Sequence, residues 1–230
     1  SDFHYRNALV AGLLLANKDF KAAALVSEEI LKKRPWYRSA LKLAGFSEFE
    51  LGDYKKANEN LQKYYQFDPK DIKASYILGI VNYELGDYVT SNLYFNTAVM
   101  NGYQPKTELE RRMIYNYFVL DDHKSMFKVF RYLLDEADVN IDDYIIAIYT
   151  AIEKRELSKA SLWCEKGLQR FPDAENLLAL QGWVYQIKWE EWNSKASLNK
   201  ALAINPRNVI ALLRTGIWHF MNQEYDEAKL

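Results

Sequence analysis

Glu50-Leu51-Gly52-Asp53-Tyr54 recurs unchanged as Glu84-Leu85-Gly86-Asp87-Tyr88, 34 residues further along the chain. An interval of about 20 to 50 residues is the signature of a repeat architecture, so the pentapeptide tests whether one module was copied along the whole sequence. Aligning Gly45 with Gly79 carries the match outward from it. Modules begin at His4, Arg38, Ile72, Thr107, Ile141, Glu175 and Val209, every step being 34 residues except one of 35 before Thr107. Their bounds are 4–37, 38–71, 72–106, 107–140, 141–174, 175–208 and a partial 209–230.

Within a module, apolar residues return at three- and four-residue steps, as in Leu41, Ala44, Gly45 and then Ala57, Leu61, Tyr64, which predicts two amphipathic helices. The pentapeptide lies between them. Gly52 and Gly86 suit the left-handed residue that closes a helix, and Asp53 and Asp87 suit the cap of the next one. The eighth position is small in Ala11, Gly45, Gly79, Gly182 and Gly216, with Ile114 and Ile148 as exceptions. The twentieth (Ala23, Ala57, Ser91, Met126, Ala160, Ser194, Ala228) is mostly small, and both positions mark close helix contacts. Pro35, Pro69, Pro172 and Pro206 share the thirty-second position, where proline stops a helix.

This pattern resembles the tetratricopeptide repeat (TPR) family over essentially the whole chain, although the tryptophan common at the fourth position of that family is absent. The resemblance implies an all-α fold, a right-handed α-solenoid of about seven helix hairpins whose last hairpin is truncated, with a concave face formed by the first helices. The seventh module stops at Leu230 within its expected second helix, and the chain opens at Ser1; both lead us to expect a fragment of a longer or processed product. Modules four and five depart most from the pattern, at Asp121-Asp122-His123, Ile114, Asp138, Ile148 and Arg155-Glu156. Together with the extra residue near Asn101 to Pro105, they leave open a sub-boundary near residue 106 or simple degeneracy of the modules.

Composition narrows the partners. The chain has 230 residues, 49% hydrophobic and 27% charged, as a globular protein does, and 30 basic against 31 acidic residues give a net charge of -1. No overall field favours nucleic acid or an anionic membrane. The longest uncharged apolar stretch, Asn7 to Asn17, is short of the roughly 20 residues that span a bilayer and lacks a signal-peptide pattern, so we expect no membrane insertion.

Chemistry is sparse. Asp138-Val139-Asn140-Ile141-Asp142 opens like a calcium loop, but Asp143 and Tyr149 stand where such a loop needs glycine and glutamate, so it is read as an exposed inter-repeat loop. His4, His123 and His219 lie in different modules, and Cys164, the single cysteine, sits at a core-facing helical position. No catalytic residue, cofactor or metal is expected, and the protein is read as a non-enzyme.

What remains is surface. The resemblance places positions two, five, nine, twelve and thirteen on the concave face. The ninth holds Gly12, Phe46, Ile80, Tyr115, Tyr149, Trp183 and Ile217, and the twelfth Leu15, Phe49, Tyr83, Phe118, Ile152, Gln186 and Phe220. Family members that grip the carboxylate tails of heat-shock chaperones carry asparagine at the ninth position. None stands there in this sequence, and that partner is not expected.

The expectation is a protein-interaction scaffold that holds a peptide or helix of a partner. Phe46, Phe49, Tyr76, Tyr83, Tyr115, Phe118, Tyr149 and Trp183 are its anchors, with Lys42, Lys73 and Arg111 as orienting charges. The alternative for the rings is packing against one another between first helices. Trp189 and Trp192, at the turn of module six, are expected to tuck against module seven, the alternative being a hot spot on the convex surface. Rival functions are a regulatory or substrate-docking part of a larger enzyme and self-association through an open end of the array.

Overall fold

The computed structural model describes residues 2–223, which hold thirteen α-helices and no strands. They run as α1 (Asp2–Ala16), α2 (Phe20–Lys33), α3 (Arg38–Glu50), α4 (Tyr54–Tyr65), α5 (Ile72–Glu84), α6 (Tyr88–Met100) and α7 (Lys106–Val119). They continue as α8 (His123–Leu133), α9 (Ile141–Glu153), α10 (Leu157–Arg170), α11 (Glu175–Ile187), α12 (Glu191–Ile204) and α13 (Val209–Met221). Each odd-numbered helix is the first of a module and each even one the second, which makes the fold an all-α array of helix hairpins. The expected second helix of module seven lies outside the described residues. The chain divides into two compact units, 1–129 and 130–230, the division falling within α8, the second helix of module four.

The backbone of the hairpin turn is the same throughout. The fifteenth residue of each of the seven modules has positive φ: Lys18 62°, Gly52 76°, Gly86 79°, Asp121 55°, Arg155 61°, Trp189 62° and Gln223 62°. In module two, Leu51, Gly52 and Asp53 donate their N–H groups to the carbonyls of Ser47, Phe49 and Glu48 at 3.0, 3.0 and 2.9 Å. Lys188, Trp189 and Glu190 donate in the same register to Val184, Gln186 and Tyr185. These bonds satisfy carbonyls that the end of a helix leaves without partners. The next residue then caps the second helix where it is aspartate. Asp19, Asp53, Asp87 and Asp122 accept from Ala22, Lys56, Thr90 and Ser125 N–H at 3.1, 3.3, 3.0 and 3.1 Å. Glu156 and Glu190, one methylene longer, make no such cap.

The small eighth residue sets how near the two helices of a hairpin come. A Cβ on Gly45 would lie 2.4 Å from the Leu61 side chain, and one on Gly79 would lie 2.3 Å from the Phe95 ring. Gly182 meets Leu198 in the same way at 2.7 Å. Ser91 and Ser194, at the twentieth position, use that nearness to donate their hydroxyls to the carbonyls of Gly79 and Gly182, at 2.8 and 2.9 Å. Module five reverses the sizes. Its corresponding positions hold Ile148 and Cys164, both buried, so the bulk sits on the first helix and the small residue on the second. Burial pushes the Cys164 thiol up to about 12, which makes it a packing residue without thiolate character.

Polar side chains pair between modules. Asn82 Nδ2 donates to Asn58 Oδ1 at 3.1 Å, and Asn116 Nδ2 donates to Ser91 Oγ and Asn92 Oδ1 at 3.0 and 2.8 Å. Between modules three and four, the extra residue builds a loop with Gly102 at φ 101° and the cis peptide Gln104-Pro105. That loop carries Tyr103 onto Tyr76, the two rings stacked 4.8 Å apart. Both hydroxyls donate to the Glu108 carboxylate, at 3.1 Å from Tyr103 and 3.3 Å from Tyr76. The acidic stretch before α9 is partly a helix cap and not wholly a loop. Asn140 and buried Asp143 form a reciprocal capping box, with bonds of 2.9 and 3.0 Å.

Candidate functional site

In unit 1 the anchors chosen from sequence separate into core and surface. Phe46 is only 5% exposed, packed with Leu61 and Tyr64 in the core and covered by the ammonium groups of Lys42 and Lys73, 5.5 and 4.9 Å from its ring. It is therefore no anchor for a partner, because its burial completes the hairpin stack. Lys42 is not a free orienting charge either. It pairs with Asp71 at 2.6 Å, and the Tyr64 hydroxyl donates to the same carboxylate oxygen at 2.7 Å.

Burial alone would raise the Asp71 carboxyl. Its bonds from Lys42, the Ala74 N–H and Tyr64 outweigh that effect and hold it below the ordinary carboxylate range. Phe49 is half-buried against the core, Tyr76 is occupied by Tyr103 and Glu108, and Arg111 is half-buried. Lys73 is exposed.

What stays open in unit 1 is an aromatic cluster across α5, α6 and α7. Tyr83 lies 5.8 Å from Tyr88 and 5.7 Å from Tyr115, with Tyr88 6.3 Å from Tyr115, all in edge or tilted contacts. Burial, with Tyr115 and Tyr88 nearby, raises the Tyr83 phenol. Tyr115 nevertheless keeps 47% of its surface exposed and Phe118, one turn on, keeps 63%. The rings thus pack between modules and also face outward, so the two readings of the first-helix aromatics are not exclusive in this unit.

Unit 2 places Tyr149 and Trp183 edge to face at 5.7 Å, with Tyr149 47% exposed. α13 packs on α11 and α12. Between them opens a concavity of about 720 Å³, walled by Trp183, Ile187, Ile217, Trp218 and Met221. Two arginines reach it, neither of them chosen from sequence as a site residue: Arg155 from the turn of module five and Arg214 from α13. The Arg214 guanidinium lies over the Trp183 ring, 3.6 Å from its centroid. Trp189 stands on the rim. It is 79% exposed and Trp192 is 85% exposed, so among the described residues neither tucks inward as expected. The left-handed turn holds Trp189 outside the hairpin core, and Trp192 begins α12 on its solvent side.

The remaining titratable residues are dispersed. His123 contacts Asp121 at 2.8 Å, while His4 lies against Phe3 and Tyr37 and His219 against Trp218. Among the described residues no group of three or more His, Cys, Asp or Glu side chains could hold a metal ion, and no helix is long and apolar enough to cross a membrane.

No family model and no curated protein matches this sequence. Solved structures do. One chain in the structure of Naa15/Naa10 bound to HypK-THB superposes with a TM-score of 0.70 at 12% identity, over 98% of this chain and 35% of that longer one. YrrB, described as a TPR protein with an unusual peptide-binding site, superposes with a TM-score of 0.56 at 14% identity, over 81% of this chain and 95% of its own. This is the tetratricopeptide-repeat fold. A double mutant of MamA RS-1 also matches, with a TM-score of 0.51 at 14% identity over 75% of this chain and 96% of its own. In TPR terms the open rings of unit 1 lie at first-helix positions nine and twelve, with a separate aromatic concavity at the turn end of module six.

Proposed function

We propose that this TPR protein is a non-enzymatic scaffold that holds a peptide or helix of a partner protein against its first-helix aromatics. The observation that carries the reading is the outward face of Tyr115 and Phe118, 47% and 63% exposed and backed by the packed rings of Tyr83 and Tyr88. Fixed, half-exposed rings offer contact area at little further ordering cost, which is the usual make-up of a binding hot spot. The peptide-binding description of YrrB supports the same use of the fold.

Selection from a random twelve-residue phage library tests it. Enriched peptides should bind the wild type and lose about tenfold or more in affinity to Tyr115→Ala with Phe118→Ala, at unchanged helicity and melting temperature. Equal binding by the double variant, or no enrichment at all, overturns the assignment.

One observation favours a second reading. Because nearly all of this chain matches about a third of a longer chain solved with partners bound, it also fits as one stretch of an extended assembly platform.

A further inference from the structure

We propose that the concavity bounded by Arg155, Trp183, Trp189 and Arg214 is a subsite for an acidic side chain flanked by a bulky apolar residue, presented by a peptide partner. The inference rests on the scaffold reading above and concerns a different surface, so each can fail without the other. The Arg214 guanidinium is stacked on Trp183, partly buried, and has no ion-pair partner among the described residues; its Nε finds no hydrogen-bond acceptor. Burial lowers its proton affinity, while Tyr149 and Glu153 act in the opposite sense. Glu191 lines this concavity and Glu153 an adjoining smaller one, and neither pairs with Arg214 or Arg155. A partly buried cation with no ion pair among the described residues is costly to keep, and an incoming carboxylate supplies the direct partner. The apolar walls formed by Ile187, Ile217 and Met221 fit the neighbouring side chain, and the volume of about 720 Å³ admits both.

The turn backbone places two of the lining residues. Arg155 and Trp189 take, at φ 61° and 62°, the left-handed conformation that the fifteenth residue holds in every module, Lys18, Asp121 and Gln223 included, and in modules five and six it sets bulky side chains beside one concavity. An acidic side chain dips into the hollow while its main chain stays at the rim, which the open, partly walled shape requires.

Titration of the full chain, followed through the indole N–H resonances of Trp183 and Trp189, tests the proposal. Blocked dipeptides serve as probes: acetyl-Trp-Glu-amide against acetyl-Trp-Gln-amide, with acetyl-Trp carrying a free terminus as the third arm. The Glu probe should bind about fivefold or more tighter than the Gln probe, and tighter than acetyl-Trp. Arg214→Gln and Arg155→Gln should each shrink the Glu preference, a ratio that modest destabilisation does not move. Trp189→Gly should weaken both dipeptides while raising the melting temperature by about 2 °C, an opposition that a packing role would not produce.

Equal affinity for Glu and Gln, no shift up to about 10 mM probe, or a Trp189→Gly variant that melts lower and binds unchanged overturns the subsite. Tighter binding of acetyl-Trp, or displacement of the Glu probe by oligo(dT), reassigns it to a chain terminus or to nucleic acid and overturns the proposal as well. Through all of these outcomes, peptides captured through Tyr115 and Phe118 report separately on the scaffold reading.

Discussion

The turns of modules two and three in unit 1 and those of modules five and six in unit 2 share a backbone and almost nothing else. Gly52 and Gly86 occupy a conformation that suits them, whereas Arg155 and Trp189 occupy it under strain and place large side chains beside a cavity. The hairpin contact shows a parallel contrast. Unit 1 sets Gly45 and Gly79 beneath Leu61 and Phe95, while module five has Ile148 and Cys164 in the corresponding places. The repeat therefore keeps a path of the chain, and it leaves the residues that pack between the helices free to change.

Exchanging the packing arrangements breaks this comparison most severely. Ile148→Gly should cost about 4 kcal/mol in urea denaturation, through the cavity and the helix-propensity loss together. Adding Cys164→Leu, which copies the arrangement of module two, should restore about half of that. The converse overpacking, Gly79→Ile against the Phe95 ring, should cost about 3 kcal/mol. If Cys164→Leu gives no rescue, the two positions are not complementary.

Asp71→Asn comes next, at about 2 kcal/mol, because it removes the Lys42 pair and weakens the acceptor for Tyr64 in unit 1. The folded carboxyl titrates below its unfolded value, so its contribution is complete above the unfolded pKa and is lost as pH falls through the folded one. Wild type should accordingly lose more stability than the variant between neutral and strongly acidic pH. Parallel pH profiles for the two proteins would show that the pair contributes nothing.

Smallest is the exchange at the turns. Gly86→Ala should destabilise by about 1 kcal/mol and Trp189→Gly should stabilise by about the same, two opposite signs at one backbone position. A loss in both would place Trp189 among the packing residues.

The fold was legible because its determinants are local. A left-handed glycine, a capping aspartate and a small eighth residue all recur at fixed offsets, so Gly52-Asp53 and Gly86-Asp87 could be read without knowing what they touch. The site was less legible because its determinants are relational. Whether Lys42 is free depends on Asp71, 29 residues away, and whether Phe46 is exposed depends on the cover given by Lys42 and Lys73. Ile148 read as a lapse from the pattern until Cys164 was placed at the matching position. Arg155 and Arg214 carry no motif, and only the fold brings them to one hollow. The signal that could have found them was the bulky residue at the fifteenth position of modules five and six, where glycine is the easier choice.

The loop that breaks the period shows what irregularity is worth in such a chain. Its extra residue brings Tyr103 over Tyr76, and both hydroxyls bind one carboxylate, that of Glu108 at the start of α7. A designer who regularised the repeat to a constant length would delete the clasp that joins the third hairpin to the fourth, and the more ideal sequence would be the looser molecule.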